Sequence, residues 1–208
     1  MSKRIIGLLF IFVSIWLYGC MGGVGKDPKA GEIQDKIINM ESYACQARVS
    51  RIDNEKINIY ETQQVYQMDG QYKVEVISPD NLTGLITICD GQQIVQYNSK
   101  LDQSKLTPLS PNNFRNQMFL GTFVQNYLQS EDVSIEVQNI EESLTTVLEA
   151  VIPGGSEHMS IQRVWIDQKT SKPVQMSIYN KDNKETVKIE FLEFTYNPKI
   201  DPSIFTVD

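Results

Sequence analysis

"QRVWIDQKTSKPVQMSIYNKDNKETVKIEFLEFTYNPKIDPSIFTV" spans residues 162–207 and decides the fold. Apolar and polar residues alternate along 162–167, 174–179 and 186–196, and turn-forming clusters at Lys169-Thr170 and Lys181-Asp182-Asn183 separate the runs. Period-two alternation with short polar breaks is the pattern of antiparallel strands joined by tight turns. In the middle run Val174, Met176 and Ile178 are expected on one face, against Gln175, Ser177 and Tyr179 on the other. One face of the sheet should therefore be covered. After Tyr196 the chain breaks at Asn197-Pro198, and 201–205 can form one closing helical turn.

Outward from this stretch the same period recurs. Residues 133–137 and 144–152 read as strands, with Gly154-Gly155 as a hairpin loop. Earlier, 43–51, 56–67, 71–76, 84–89 and 93–97 read as a meander whose turns are signalled by Asp53-Asn54, Asp69-Gly70 and Asp90-Gly91. Two segments break the pattern. Asp27-Pro28 caps a first helix, with Ile33, Ile37 and Met40 on one stripe and an end near Glu41-Ser42. Ser110-Pro111 should open a second over 112–130, with Phe114, Met118, Leu120, Phe123, Val124, Tyr127 and Leu128 as its apolar face and Gly121 at a close contact. About ten antiparallel strands tend to curl. The expected fold is α+β, a curled antiparallel sheet forming a half β-barrel wrapped around helices.

The first 26 residues are organised differently. Lys3 and Arg4 precede fifteen uncharged residues, 5–19, and then Cys20. This is shorter than the ~20 residues of a membrane-spanning helix and suits a secretory signal. Leu17-Tyr18-Gly19-Cys20 resembles the lipobox of bacterial lipoproteins, although Tyr18 stands where a small residue is usual. The resemblance implies that 1–19 is a signal peptide removed on export. It also implies that Cys20 carries diacylglycerol, the only covalent group expected here. Two acyl chains at about 0.8 kcal/mol per CH₂ give stable anchoring. Residues 20–26 then form the anchor and a flexible tether, and 27–208 one domain.

The chain of 208 residues has 26 acidic and 19 basic residues, a net charge of -7 that disfavours binding to nucleic acid. One histidine and three cysteines are too few for most metal sites. His158 has no nucleophile motif to serve and reads as a solvated loop residue. Glu131-Asp132 and Glu141-Glu142 are adjacent acids rather than a pair facing across a cleft. Asn81-Leu82-Thr83 matches a glycosylation sequon but is uninformative in a bacterial lipoprotein. Cys45 and Cys89 could pair or could be two buried thiols, and the second reading is preferred. No catalytic, metal or cofactor-binding residues are assigned. Tyr60, Tyr66, Tyr72, Tyr97, Trp165, Tyr179, Phe191, Phe194 and Tyr196 lie on the expected strands. Some should line a concave face, either open to acyl chains or filled by the second helix.

Four features of the opening stretch carry a family resemblance: Trp165-Ile166-Asp167, Pro173-Val174, Asn197-Pro198 and Ile200-Asp201 leading to Phe205. With Pro79, Gly84, Asp90-Gly91 and Tyr97 upstream, their order resembles the LolA/LolB/RseB-like lipoprotein-sorting superfamily over most of 31–207. The lipobox, the acidic domain and Cys45-Gln46-Ala47 after the first helix are most similar to its GerS-like spore germination lipoproteins. That resemblance implies a non-enzymatic lipoprotein anchored at a forespore membrane. It would bind and regulate a CwlD-like cell-wall amidase, so that muramic-δ-lactam cortex is made. Free edges of an open half-barrel also suit a homodimer by strand pairing or exchange. The wider superfamily leaves two other roles open, a lipid or lipoprotein carrier and an RseB-like envelope sensor.

Overall fold

A computed structural model describes residues 27–53, 56–108 and 116–206. The lipobox, the tether, the Asp53-Asn54 turn beyond Asp53, and Ser110, Pro111 and Phe114 lie outside the described residues.

Eleven strands form one antiparallel sheet. The first six are β1 (Ser42–Asp53), β2 (Lys56–Gln67), β3 (Tyr72–Ser78), β4 (Leu85–Cys89), β5 (Gln93–Asn98) and β6 (Gln103–Pro108). The last five are β7 (Val133–Ile140), β8 (Ser143–Ser156), β9 (Met159–Asp167), β10 (Lys172–Tyr179) and β11 (Glu185–Tyr196). Their order is β6-β5-β4-β3-β2-β1-β11-β10-β9-β8-β7. Two meanders thus meet where β1 pairs with β11, and β6 and β7 are the unclosed edges. The curled, open sheet is the half-barrel expected from the sequence. β6 is an addition, an exposed edge strand whose polar sequence carries little apolar alternation.

Helix α1 (Pro28–Ile38) begins as expected. Asp27 Oδ1 accepts from the Lys29 amide at 2.9 Å, which satisfies one of the free amides of the first turn. Its other oxygen accepts from Gln168 Nε2 at 3.1 Å, and Gln168 also donates to Thr146 Oγ1 of β8. One side chain therefore caps the helix and fastens the start of the domain to the sheet. These hydrogen bonds, with Gln168 foremost, hold the Asp27 carboxyl below its ordinary range. The helix stops at Ile38, short of the expected Glu41-Ser42, although Met40 is still buried.

The closing motif also has a physical reading. Asn197 takes a left-handed backbone (φ 46°), and its Oδ1 accepts from the amides of Glu41 and Ser42 at 2.9 and 3.1 Å. Asp201 then caps a 3-10 turn, Pro202–Phe205, that buries Phe205. The end of the last strand is thereby pinned to the start of the first.

Two expectations about the strands need correction. Val174 does not share a face with Met176 and Ile178. The register slips between Pro173 and Gln175, so Val174 is an unpaired extra residue, 44% exposed, and Pro173 takes the inward position. The same device puts Ile77 and Leu192 outside, each being the extra residue at a bulge, against β2 and β1 respectively. A single insertion reverses the side-chain parity beyond it, and each bulge adds to the local twist. Second, Gly154-Gly155 belongs to β8, and the turn falls at Glu157-His158. Glu141 and Glu142 do lie in a turn, as their adjacent acids suggested, and both adopt positive φ (47° and 67°), the conformation of a two-residue hairpin turn that Asn-Gly usually signals.

Cys45 and Cys89 are free and buried, on strands three places apart in the sheet. Burial pushes both thiols up from their ordinary range. A thiol reagent at neutral pH should label neither in the folded chain and both once it is unfolded without reductant. Failure to label them in the unfolded chain would contradict this arrangement.

Candidate functional site

The trough formed by the curled sheet is lined with Tyr43, Cys45, Ala47, Tyr66, Tyr72, Met176, Ile178, Ile189 and Phe194, all buried. The open-or-filled alternative is resolved by α2 (Leu120–Gln129), which packs into this core with Leu120, Phe123, Val124 and Tyr127. The helix is shorter than the expected 112–130. A 3-10 turn at Asn116–Met118 precedes it, Phe119 occupies its N-cap without a side-chain bond, and Leu128 faces outward.

Aromatic rings fix how deeply α2 sits. Tyr43 stacks on Tyr66 at 5.6 Å and on Phe194 at 5.3 Å, Tyr66 on Tyr72 at 6.1 Å, and Phe119 leans against Tyr72 at 4.5 Å. Such separations lie in the range where aromatic pairs add stabilisation beyond buried area. Gly121 makes the approach feasible, because a Cβ there would clash with the Tyr66 ring. The Tyr43 hydroxyl is fully buried beneath the first amides of α2 and closes no hydrogen bond. Burial, the main cause, pushes its phenol well up.

The opposite flank of α2 is polar without charge. Thr122, Gln125, Asn126 and Gln129 recur at i, i+3, i+4 and i+7, which places them on one stripe. Asn126 Nδ2 donates to Gln117 Oε1 at 2.8 Å and to Gln162 Oε1 at 2.7 Å, while Gln162 Nε2 donates to the Gln117 carbonyl at 2.7 Å. All three are buried and satisfy one another, as buried amides must. Burial raises the Tyr66 phenol, partly offset by its hydrogen bond with Thr122. The stripe walls a cavity of about 560 Å³ that also reaches Asp69, Tyr72, Asn116 and Pro153. The sequence reading passed over these amides among the apolar residues of the second helix, although their four-residue spacing was readable.

The other candidate residues are dispersed. His158 is exposed at a turn tip and its carbonyl accepts from Thr186 Oγ1. Glu131, Asp132, Glu141, Glu142 and Asn81 are exposed. Trp165 alternates with buried Val164 and Ile166 and so stands on the outer face, as does Tyr97. Tyr179 carries Arg163 over its ring at 4.6 Å, and Arg163 pairs with Glu149. Among the described residues no group of three or more His, Cys, Asp or Glu side chains could hold a metal ion. Among them, too, no helix is long and apolar enough to cross a membrane.

Comparison with known proteins adds family and fold. The family described as Sporulation protein YdcC-like matches residues 2–205. Among solved structures, a chain from the CwlD amidase of Clostridioides difficile in complex with the GerS lipoprotein is 25% identical, with a TM-score of 0.50. The match covers 95% of this chain and 100% of that one. An uncharacterized conserved protein from Thermus thermophilus is 12% identical, with a TM-score of 0.54, covering 85% and 91%. A LolA superfamily protein from Nitrosomonas europaea is 13% identical, with a TM-score of 0.46, covering 86% and 97%. No curated protein sequence matches significantly.

Gly121→Ala should destabilise the domain by about 1–3 kcal/mol, the usual cost of overpacking. Urea unfolding followed by circular dichroism measures it. An unchanged midpoint would contradict the seating of α2 on Tyr66.

Proposed function

The chain belongs to the family of YdcC-like sporulation proteins, and on that premise we propose that it is a non-enzymatic, membrane-anchored lipoprotein that binds and regulates a cortex-modifying N-acetylmuramoyl-L-alanine amidase similar to CwlD. The observation that carries the reading is the likeness, over nearly the whole length of both chains, to a chain from the amidase complex with GerS. We take the matching chain to be the lipoprotein, because this chain has the lipobox at Cys20 and the half-barrel, and no motif for metal-dependent hydrolysis. The amidase would supply the zinc and the catalysis; this chain would supply a surface.

The position of α2 supports a docking role over a carrier role. A lipid carrier needs an apolar face that can open, and here that face is occupied by Phe119, Phe123 and Val124. Export and acylation at Cys20 would hold the domain at a forespore membrane, with 20–26 as its reach. Of the two free edges, β6 carries Lys105 and Pro108, which discourage pairing, whereas β7 has eight residues and neither guard. β7 is the edge we assign to a second copy of the chain.

The test is affinity purification of the tagged full chain from sporulating cells, sized by chromatography, together with cortex analysis of a deletion strain. The expected outcome is a co-purified amidase and loss of muramic-δ-lactam on deletion. Absence of any amidase, with normal lactam in the deletion strain, would overturn the reading.

A further inference from the structure

The uncharged stripe of α2 has a use that neither packing nor the amidase reading absorbs. Its cavity, about 560 Å³, lies within the range of small-molecule sites. Two other cavities of similar size, about 440 and 480 Å³, are lined with ionised groups: Lys73 and Asp102 in one, Glu141 and Asp167 in the other. Among its described lining residues the α2 cavity has one, Asp69, which already accepts from the Gln71 amide. Its remaining polar wall is carboxamide and hydroxyl. Gln125 and Gln129 line it as well and have no hydrogen-bond partner among the described residues.

This chemistry selects a ligand class. With no cation among the described residues of the wall, a phosphate or carboxylate would lose its hydration without compensation from them. An acyl chain would leave the amides unpaired. An extended peptide is read by a strand edge or by alternating apolar pockets, and the cavity presents neither. A molecule without charge, dense in hydroxyl and acetamido groups, would pair with carboxamides that both donate and accept. We infer that the cavity between α2 and the 68–70 turn binds an uncharged N-acetylated sugar of a glycan strand, with Gln125 and Gln129 as its principal hydrogen-bonding contacts. The inference stands apart from the amidase reading and does not depend on it.

The test is calorimetric titration of the full lipidated chain, in detergent, with chitotetraose, the β-1,4-linked tetramer of N-acetylglucosamine. The expected result is saturable binding, weakened by about tenfold in the Gln125→Ala/Gln129→Ala double variant, as expected for losing one or two neutral hydrogen bonds. Both positions are at least partly exposed, so the circular dichroism of the variant should match that of the parent. No saturable binding to the parent, or equal binding to the variant, would overturn the inference. Amidase co-purification is read separately, so failure of either proposal leaves the other standing.

Discussion

An eleven-stranded sheet that curls without closing makes a trough, and a trough lined by tyrosine, phenylalanine and branched aliphatic side chains has to be covered. Leaving it open would expose a large contiguous apolar surface, which soluble domains keep only where something binds. Here the cover is α2, and its seating depends on one contact, the backbone of Gly121 against the ring of Tyr66. Because that contact has no side chain between helix and sheet, Phe119, Leu120, Phe123 and Val124 reach the floor of the trough. The orientation of α2 then follows. With its apolar side down, Thr122, Gln125, Asn126 and Gln129 share a flank, where the buried Asn126 joins the buried Gln117 and Gln162 while Gln125 and Gln129 stay at least partly exposed.

The strands were legible because one face of each is buried and the other is wet, so period two survives in the sequence. β2 was read residue for residue and the other expected strands to within a few residues, while the polar edge strand β6 was missed. The bulges were not legible. Val174, Ile77 and Leu192 have side chains as apolar as their buried neighbours, and only the pairing register shows that each is an insertion. Nor was the start of α2. A single helix over 112–130 was expected, whereas a 3-10 turn at Asn116–Met118 precedes α2 and Phe119, a buried ring with no capping side chain, stands at its N-cap. Cys20 was read from the lipobox pattern alone and lies outside the described residues.

The two ends of the domain are tied by short polar devices rather than by more core. Asp27 binds both its own helix and Gln168, and Asn197 binds the amides that start β1. These clamps fix where the chain enters and leaves the sheet. A lipid on Cys20 would therefore act on a body whose Asp27 is already fastened to β8 through Gln168 and Thr146. Such a body suits a protein that presents surfaces to a partner at a membrane.

The account turns on the trough being filled by the protein itself. Native mass spectrometry of the full chain, purified in mild detergent from cells that make it, tests this most directly. The account predicts species whose masses are the acylated chain, alone or with protein partners, and no non-covalently held lipid. A stoichiometric acyl ligand that survives detergent exchange would show that α2 yields the trough to cargo, and would contradict the account.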